Sequence, residues 1–420
     1  MKRLHLKITA KSPLAIGERK PGSVSEAMDY IPGSVIRGAI AQKILQHGGS
    51  QQPEPGDDFH KLFVDDRAAI FRNTYPAIAK TGEDTYQEST NPIHLLPATA
   101  LSSKTESGFC SDNIDSKKAG VFDALIDSFC AREQGLFYEP NDLNGNRVEL
   151  FGGFYSRVNN GYCTHSVSKR LLTRVGINRK RATAQDEVLY SIEVLNESQG
   201  RGEKTTASVY RGEVLISDNA LADRLGDFVR ANGDRFRLGG SASRGLGQVH
   251  IELIDPVPST SPAISERITD FNQCLQERWS FWNALGQPES NTIKDRIFFT
   301  IDLQADAILT EQWKRTMVIS PAMLGQWVEL PDDDVELQMA YSGYDYRSGW
   351  NAAWGLPKDM ELITKMGSVF LFSVSKKQRK PWEKKLSELE HEGVGDRTIE
   401  GFGHIRICDE FHQIMWEKPA

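Results

Sequence analysis

Apolar residues recur along this chain with two periods, one of two residues and one of three to four, and their succession predicts one supersecondary plan used twice. Leu4, Leu6 and Ile8 alternate with His5, Lys7 and Thr9, the pattern of a half-buried strand. Val35, Ile36, Ala39, Ile40 and Ile44 then line one stripe of a helix from about Ser34 to Gln46, which Gly48 and Gly49 end. Residues from about His47 to Gln185 read as a large insertion. Strands are predicted again at Val188 to Leu195 and Ala207 to Ile216, and Leu221, Leu225, Phe228 and Val229 mark a second helix. The segment LGGSASRGLGQVHIEL, Leu238 to Leu253, follows and runs straight into a final alternating strand.

DPVPSTSP, Asp255 to Pro262, reads as a linker, and a connector helix is predicted from about Ile264 to Leu285. The second half repeats the order. Its strand at Ile297 to Leu303 precedes a helical stretch around Glu311 to Trp327, and strands at Val335 to Tyr344 and Ser368 to Ser375 precede a helix at Trp382 to His391. A second glycine loop, Gly393 to Gly403, leads into His404 to Cys408. The predicted class is therefore α+β, with two ferredoxin-like (RRM-like) βαββαβ domains, each carrying a Gly-rich loop before its last strand. The expected boundaries are 1–255 with an insertion at about 47–185, a linker and connector helix at 256–290, and a second domain at 291–420.

Glycine tolerates positive φ and lets another backbone come close. Consecutive N–H groups in such turns form concave anion sites, so each loop is a candidate for holding a phosphate chain, the alternative being a tight turn without a ligand. A dinucleotide-binding loop follows the first strand and opens a helix. Here the glycines follow a helical segment and open the last strand, which argues against that fold.

The net charge of −7 excludes coating bare nucleic acid by bulk charge. Local charge differs. From Arg157 to Gln185 there is no acidic residue, while Arg157, Lys169, Arg170, Arg174, Arg179, Lys180 and Arg181 are basic and His165 sits among them, a pattern that points to an anionic partner. Apolar runs are too short to span a bilayer, and the start MKRLHLKITAKSP alternates where a signal peptide would be apolar, so a cytoplasmic chain is expected. Cys110, Cys130, Cys163, Cys274 and Cys408 are odd in number and far apart, which suits reduced thiols and shows no CxxC metal knuckle.

Several motifs now agree with one family. YIPGSVIRGAIA (Tyr30 to Ala41), TRVGINRKRATAQDEVLYSIEVL (Thr173 to Leu195) and LGGSASRGLGQV resemble the first-helix, internal-strand and glycine-loop signatures of the repeat-associated mysterious proteins (RAMPs) of CRISPR effector complexes. The likeness spans residues 1 to about 255. It is weaker in the second half, where it rests on GVGDRTIEGFGHIRI and on SGWNAAWGLPK, which ends at Lys358. The two-domain form looks most like the subunit of type III complexes, subtype III-D, that caps the 5′ handle of the guide RNA (crRNA).

That resemblance implies a set of roles. Arg37 would project beside the glycine loop, Gly239, Gly240, Ser241, Ser243, Gly245 and Gly247 would admit the handle backbone, and Arg244 would pair with a phosphate. His165, Lys169, Arg170, Arg174, Arg179, Lys180 and Arg181 would guide the next nucleotides. The implied partners are the polymerase-like large subunit and backbone RAMP subunits, with target RNA met indirectly and no membrane. The resemblance also brings a cysteine-rich knuckle in the insertion of relatives; Cys110, Cys130 and Cys163 stand too far apart to form one, so no metal or cofactor is expected.

Tyr341, Tyr344, Tyr346, Trp350 and Trp354 cluster as a base-stacking or core group, and KKQRK, Lys376 to Lys380, reads as a solvated turn or a subunit contact. The rival reading is a metal-independent endoribonuclease that processes precursor crRNA, which needs a placed base and acid. Of His5, His165, His250 and His404, only His165 lies among basic residues. Asp112, Asp115, Asp123 and Asp127 would serve a target-cutting loop, and Asp332 to Asp334 read as a turn. Binding without catalysis is the expected activity.

Overall fold

The computed structural model describes residues 1–18, 26–48, 53–65, 69–82, 85–110, 118–142, 144–158, 161–178, 181, 183–200, 202–255, 262–286, 293–351 and 355–417. Arg179, Lys180, Asp112, Asp115, Trp354 and most of the expected linker lie outside the described residues, as does the side chain of Trp350.

Strand β1 (Lys2–Ala10) buries Leu4, Leu6 and Ile8 and leaves the side chains between them partly exposed, as its alternation requires. Helix α1 (Gly33–His47) buries Ile36 and Ile40. Two short strands follow, β2 (Ile70–Phe71) and β3 (Tyr75–Pro76), and later helix α2 (Leu125–Glu133). Strands β4 (Lys169–Asn178) and β5 (Thr183–Leu195) form a long hairpin, and β6 (Val209–Ile216) leads to helix α3 (Asn219–Asn232). Asp218 caps α3 by accepting from the N–H groups of Ala220 and Leu221. Strand β7 (Val249–Ile254) closes an antiparallel sheet of order β7-β1-β6-β2, with β3 also on β6. Ile8 lies opposite both Tyr210 and Ile251.

The strand beside β6 thus comes from residues 70–76, inside the stretch expected to be insertion, and Val188 to Leu195 is not in this sheet. Pairs of ladder residues on either side of Arg72 to Thr74 are too short to leave a period in the sequence. Strand β5 instead pairs along its length with β4.

In the second half, helix α4 (Ile264–Asn283) precedes strand β8 (Arg296–Leu303) and helix α5 (Pro321–Val328). Ser320 caps α5 by accepting from Met323 N–H, with proline at its first turn. Strand β9 (Glu336–Tyr341) is followed by a second hairpin, β10 (Tyr344–Asn351) and β11 (Leu356–Thr364), then β12 (Val369–Ser375), helix α6 (Arg379–Glu392) and β13 (Ile405–Ile407). The antiparallel order is β9-β12-β8-β13. Ile301 sits between Phe370 and Ile407, and the rings of Phe299 and Phe372 stack with centroids 5.8 Å apart. Each such fully buried side chain contributes roughly 1.5–3 kcal/mol.

The insertion does not stand apart. Leu125, Ile126 and Phe129 of α2 join the second-half core together with Ile268, Phe271 and Leu275 of α4. Asp127, considered above as a cutting-loop acid, is buried instead and accepts from Arg278 Nε at 2.6 Å and Trp282 Nε1 at 2.7 Å. Asp123 is also buried, where its Oδ2 accepts from Thr99 Oγ1 at 2.5 Å.

Asp123 takes part in a larger node. His412 is fully buried, with Nε2 2.7 Å from Asp302 of β8 and Nδ1 3.2 Å from Asp123. Burial opposes its charge, but the two carboxylates outweigh burial and hold the imidazole well above its ordinary value. This cation therefore clamps insertion, second sheet and C-terminal segment together. Removing one member of a buried ion pair costs about 3–5 kcal/mol, and His412→Ala should lose that much in urea unfolding. Because the folded pKa is raised above 6.5, the contribution is complete below about that pH and is lost as pH rises through the folded value. Wild-type stability should fall across the alkaline range with a slope that His412→Gln lacks; equal slopes would show that His412 is not the charged link.

Candidate nucleic-acid interface

The two glycine loops have one backbone conformation. Gly239, Ser241, Gly245 and Gly247 have φ of 82°, 57°, 86° and 83°, and Gly395, Arg397, Gly401 and Gly403 follow with 76°, 60°, 96° and 63°. Each loop wraps a 3-10 turn, Ala242–Arg244 in the first and Thr398–Glu400 in the second. Their hydrogen bonds also correspond. Leu238 N–H donates to Gly247 O at 2.8 Å and Val394 N–H to Gly403 O at 2.8 Å; Gly240 N–H donates to Ala15 O at 2.9 Å and Asp396 N–H to Ile308 O at 2.9 Å. A Cβ on Gly239 would come within 2.5 Å of Ala15 O and one on Gly247 within 2.5 Å of Leu238 O. At these two positions the loop's own backbone contacts already require glycine.

Their surroundings differ. The second turn packs against α1 and β2 of the first half. A Cβ on Gly401 would meet Asn73 Oδ1 at 2.6 Å, Phe71 O at 2.9 Å and Gly33 N at 3.1 Å, while Asn73 Oδ1 itself accepts from Gly33 N–H at 2.9 Å. Arg72 beside it donates to Glu390 O at 2.8 Å and also bonds Glu213. By contrast, residues 242–245 of the first loop are exposed, and among the described residues a Cβ on Gly245 would meet nothing within 4 Å.

Arg37 belongs to the docked loop and not to the open one. It is half-buried, its guanidinium donates to Phe63 O and lies 5.8 Å from the Phe63 ring centroid. Burial lowers its pKa and the Glu400 carboxylate opposes that. The expectation that Arg37 stands beside the loop of Arg244 is therefore corrected: α1 packs on the second loop because Gly33 and Gly401 let the two backbones close.

Among the described residues hairpin β4/β5 forms a two-stranded sheet of its own, tied to the rest at its end by a bridge between Leu195 and Leu14. Arg174 lies opposite Tyr190, so the two side chains share a face of the ribbon. The guanidinium of Arg244 bonds Tyr190 Oη and sits 5.6 Å from its ring centroid. Among the described residues no carboxylate pairs with Arg174 or Arg244. The geometry thus brings the Arg244 guanidinium to Tyr190 and places Arg174 opposite that tyrosine on the same face of the ribbon, beside an exposed loop whose 3-10 turn has no side-chain cap. Such a group offers a stacking ring and phosphate donors together. Tyr190 was not among the expected residues, because only the pairing register and the fold of the loop bring it to Arg244.

The remaining expected residues are placed differently. Lys169 pairs with Asp29 at 2.8 Å and lies 4.0 Å from Glu193, and Arg170 pairs with Glu197 at 2.9 Å, so neither charge is uncompensated. Arg181 is exposed at the hairpin turn, and Ser243 is exposed on the loop. His165 is buried, 2.8 Å from Ser156 Oγ, and burial pushes its pKa down to about 4, so it is neutral and faces no solvent groove. Tyr344 and Tyr346 are exposed on β10 with ring centroids 6.2 Å apart, while Tyr341 packs at the edge of the second core. Lys376 and Lys377 form an exposed 3-10 turn before α6, and Asp334 accepts from Ser375 N–H at 2.8 Å in its own turn. Among the described residues no helix is long and apolar enough to cross a membrane.

Among solved structures, the chain resembles one in the cryo-EM structure of the Type III-B Cmr-beta bound to cognate target RNA and AMPPnP, with TM-score 0.40 and 13% identity over 93% of this chain and 90% of that one. A chain in the same complex bound to cognate target RNA gives TM-score 0.38 and 14% identity over 91% and 94%. A Cas6 product complex gives 0.27 and 13% over 49% and 81%. Likeness at this level does not carry function across. No curated protein matches the chain. The family model of the RAMP superfamily matches residues 7–250. That stretch holds α1, hairpin β4/β5 and the first glycine loop and exceeds half of the chain, so this protein belongs to the RAMP superfamily.

Proposed function

We propose that the chain is a guide-RNA-binding subunit of a type III CRISPR effector complex, that it holds the 5′ handle of the crRNA, and that it binds without cutting. Each half is then a ferredoxin-like domain, and the first one carries the RNA face. The observation that carries this reading is the group Arg174, Tyr190 and Arg244: Arg244 sits 5.6 Å from the Tyr190 ring, Arg174 lies opposite Tyr190 on the same ribbon face, and among the described residues neither arginine pairs with a carboxylate, beside an exposed glycine loop. Family membership supplies the context, and the motifs matched above lie in the same stretch. Large and backbone subunits of the complex complete the site, since a chain of net charge −7 attracts RNA only locally.

Guide-RNA binding by the assembled complex at several salt concentrations tests the face. Arg244→Ala should melt normally and flatten the salt dependence by about 0.7 log unit per log unit of salt, the contribution of one phosphate contact on a single strand. Tyr190→Ala should cost about 1–3 kcal/mol, the loss of one stacked base. Unchanged affinity and slope in both variants would exclude this face.

The histidines bear on cutting. His165 is buried and His404 half-buried, and burial holds His165 at about 4 and His404 well below its ordinary value. His250 is held by Asp234, 2.7 Å from its Nδ1. Precursor crRNA incubated with the purified chain, with and without magnesium, should stay intact. In NMR titrations His165 should remain neutral through pH 6 and gain its proton near pH 4. Site-specific products that vanish in His165→Ala or His250→Ala would establish a ribonuclease instead.

A further inference from the structure

The second glycine loop shows what this backbone shape is built to receive. Its turn, Thr398–Glu400, lies on the start of a helix and the edge strand of a neighbouring sheet, with Gly401 close to Gly33 N, Phe71 O and Asn73 Oδ1. Helix α1 also brings the cation Arg37 within the field of Glu400. From Gly239 to Gly247 the first loop has the positive-φ positions and internal hydrogen bonds of Gly395 to Gly403, yet residues 242–245 are exposed where Gly401 is buried. Gly245, in the position of Gly401, keeps its left-handed φ of 86° with open space around it.

We propose that the first loop is an open copy of this intramolecular joint and docks the helix start and edge strand of a βαββαβ domain on another polypeptide. Charge specifies the partner further. Arg244 stands where the second loop has Glu400, so the docked helix carries an acidic or uncharged residue where α1 carries Arg37. A second copy of this chain does not fit. Its α1 start is already seated on the second loop, and its other equivalent helix, α5, begins with Pro321, which has neither the small size nor the N–H of Gly33. The docking face surrounds Gly245, whereas the RNA face lies on the Tyr190 side of Arg244, so the loop sits between the two. The inference rests on the reading above that the chain works within a complex of several subunits.

The test uses the full-length chain in its assembled, guide-loaded complex. A photo-cross-linking residue introduced as Ser243→benzoylphenylalanine should join one protein subunit, at a peptide that starts a helix or forms an edge strand. Asparagine tolerates left-handed φ and adds bulk, so Gly245→Asn should melt like the wild type and be retained in the complex at least about tenfold less. Arg174→Ala should weaken RNA binding and leave the protein cross-link in place. Cross-links to RNA alone, to a second copy or to nothing would overturn the proposal while leaving the RNA-binding reading intact, as would full retention of Gly245→Asn. A wild-type chain that joins no guide-loaded complex would overturn both.

Discussion

The two halves are joined where their backbones approach too closely for any side chain. A Cβ on Gly33 would fall 1.8 Å from Phe71 O and 3.0 Å from Glu400 O, and Gly401 lies against the same strand. Close packing of this kind admits one arrangement, since a displacement of an ångström either forces overlap or forfeits contact. Polar groups reinforce it. Arg72 reaches the carbonyl at the end of α6, Tyr75 Oη donates to Gln304 O at 2.5 Å, and Arg347 pairs with Asp306 at 2.6 Å while also reaching Tyr30 Oη at 2.7 Å. The orientation of the open loop and its hairpin relative to the second half follows from this joint.

Duplication explains why one loop shape has two roles. Positive-φ positions and internal hydrogen bonds are shared because both loops must turn from a helix into a final strand within few residues. What differs is the side chain at the tip of each turn. Glu400 accepts from Lys358 of its hairpin at 2.7 Å and from Arg397 at 2.6 Å, and is enclosed by α1. Arg244 reaches Tyr190 of the other hairpin and stays exposed. Charge reversal at one position thus separates an internal joint from an external surface.

The hairpins are ribbons with two unlike faces. Leu171, Ile177 and Leu189 are 62%, 67% and 70% exposed, on the side away from Arg174 and Tyr190. The second ribbon exposes Leu356 and Met360 similarly. Among the basic residues of the first ribbon, charge density along the chain overstates charge at the surface, because Asp29 from upstream, Glu193 of β5 and Glu197 just after it compensate Lys169 and Arg170.

Much of the fold was legible in order along the chain. Alternation placed β1, β8 and β12, apolar stripes placed α1, α4 and α6, and the glycine spacing marked both loops, because each of these depends on neighbours within a few residues. Strand β2 and the burial of Asp127 were not legible, since each depends on segments far apart in sequence, and the pairing of β5 with its sequence neighbour β4 was not legible because residues 169–178 fall in the stretch expected to be insertion. The same limit governs the site. Sequence alone singled out Arg174 and Arg244 as cations among glycines and basic residues, whereas tertiary structure decided which cations meet a carboxylate, brought Tyr190 to Arg244, and seated α1 with Arg37 on the second loop. Those outcomes depend on which distant carboxylates, rings and backbones come within contact distance, and local residue order does not encode that distance.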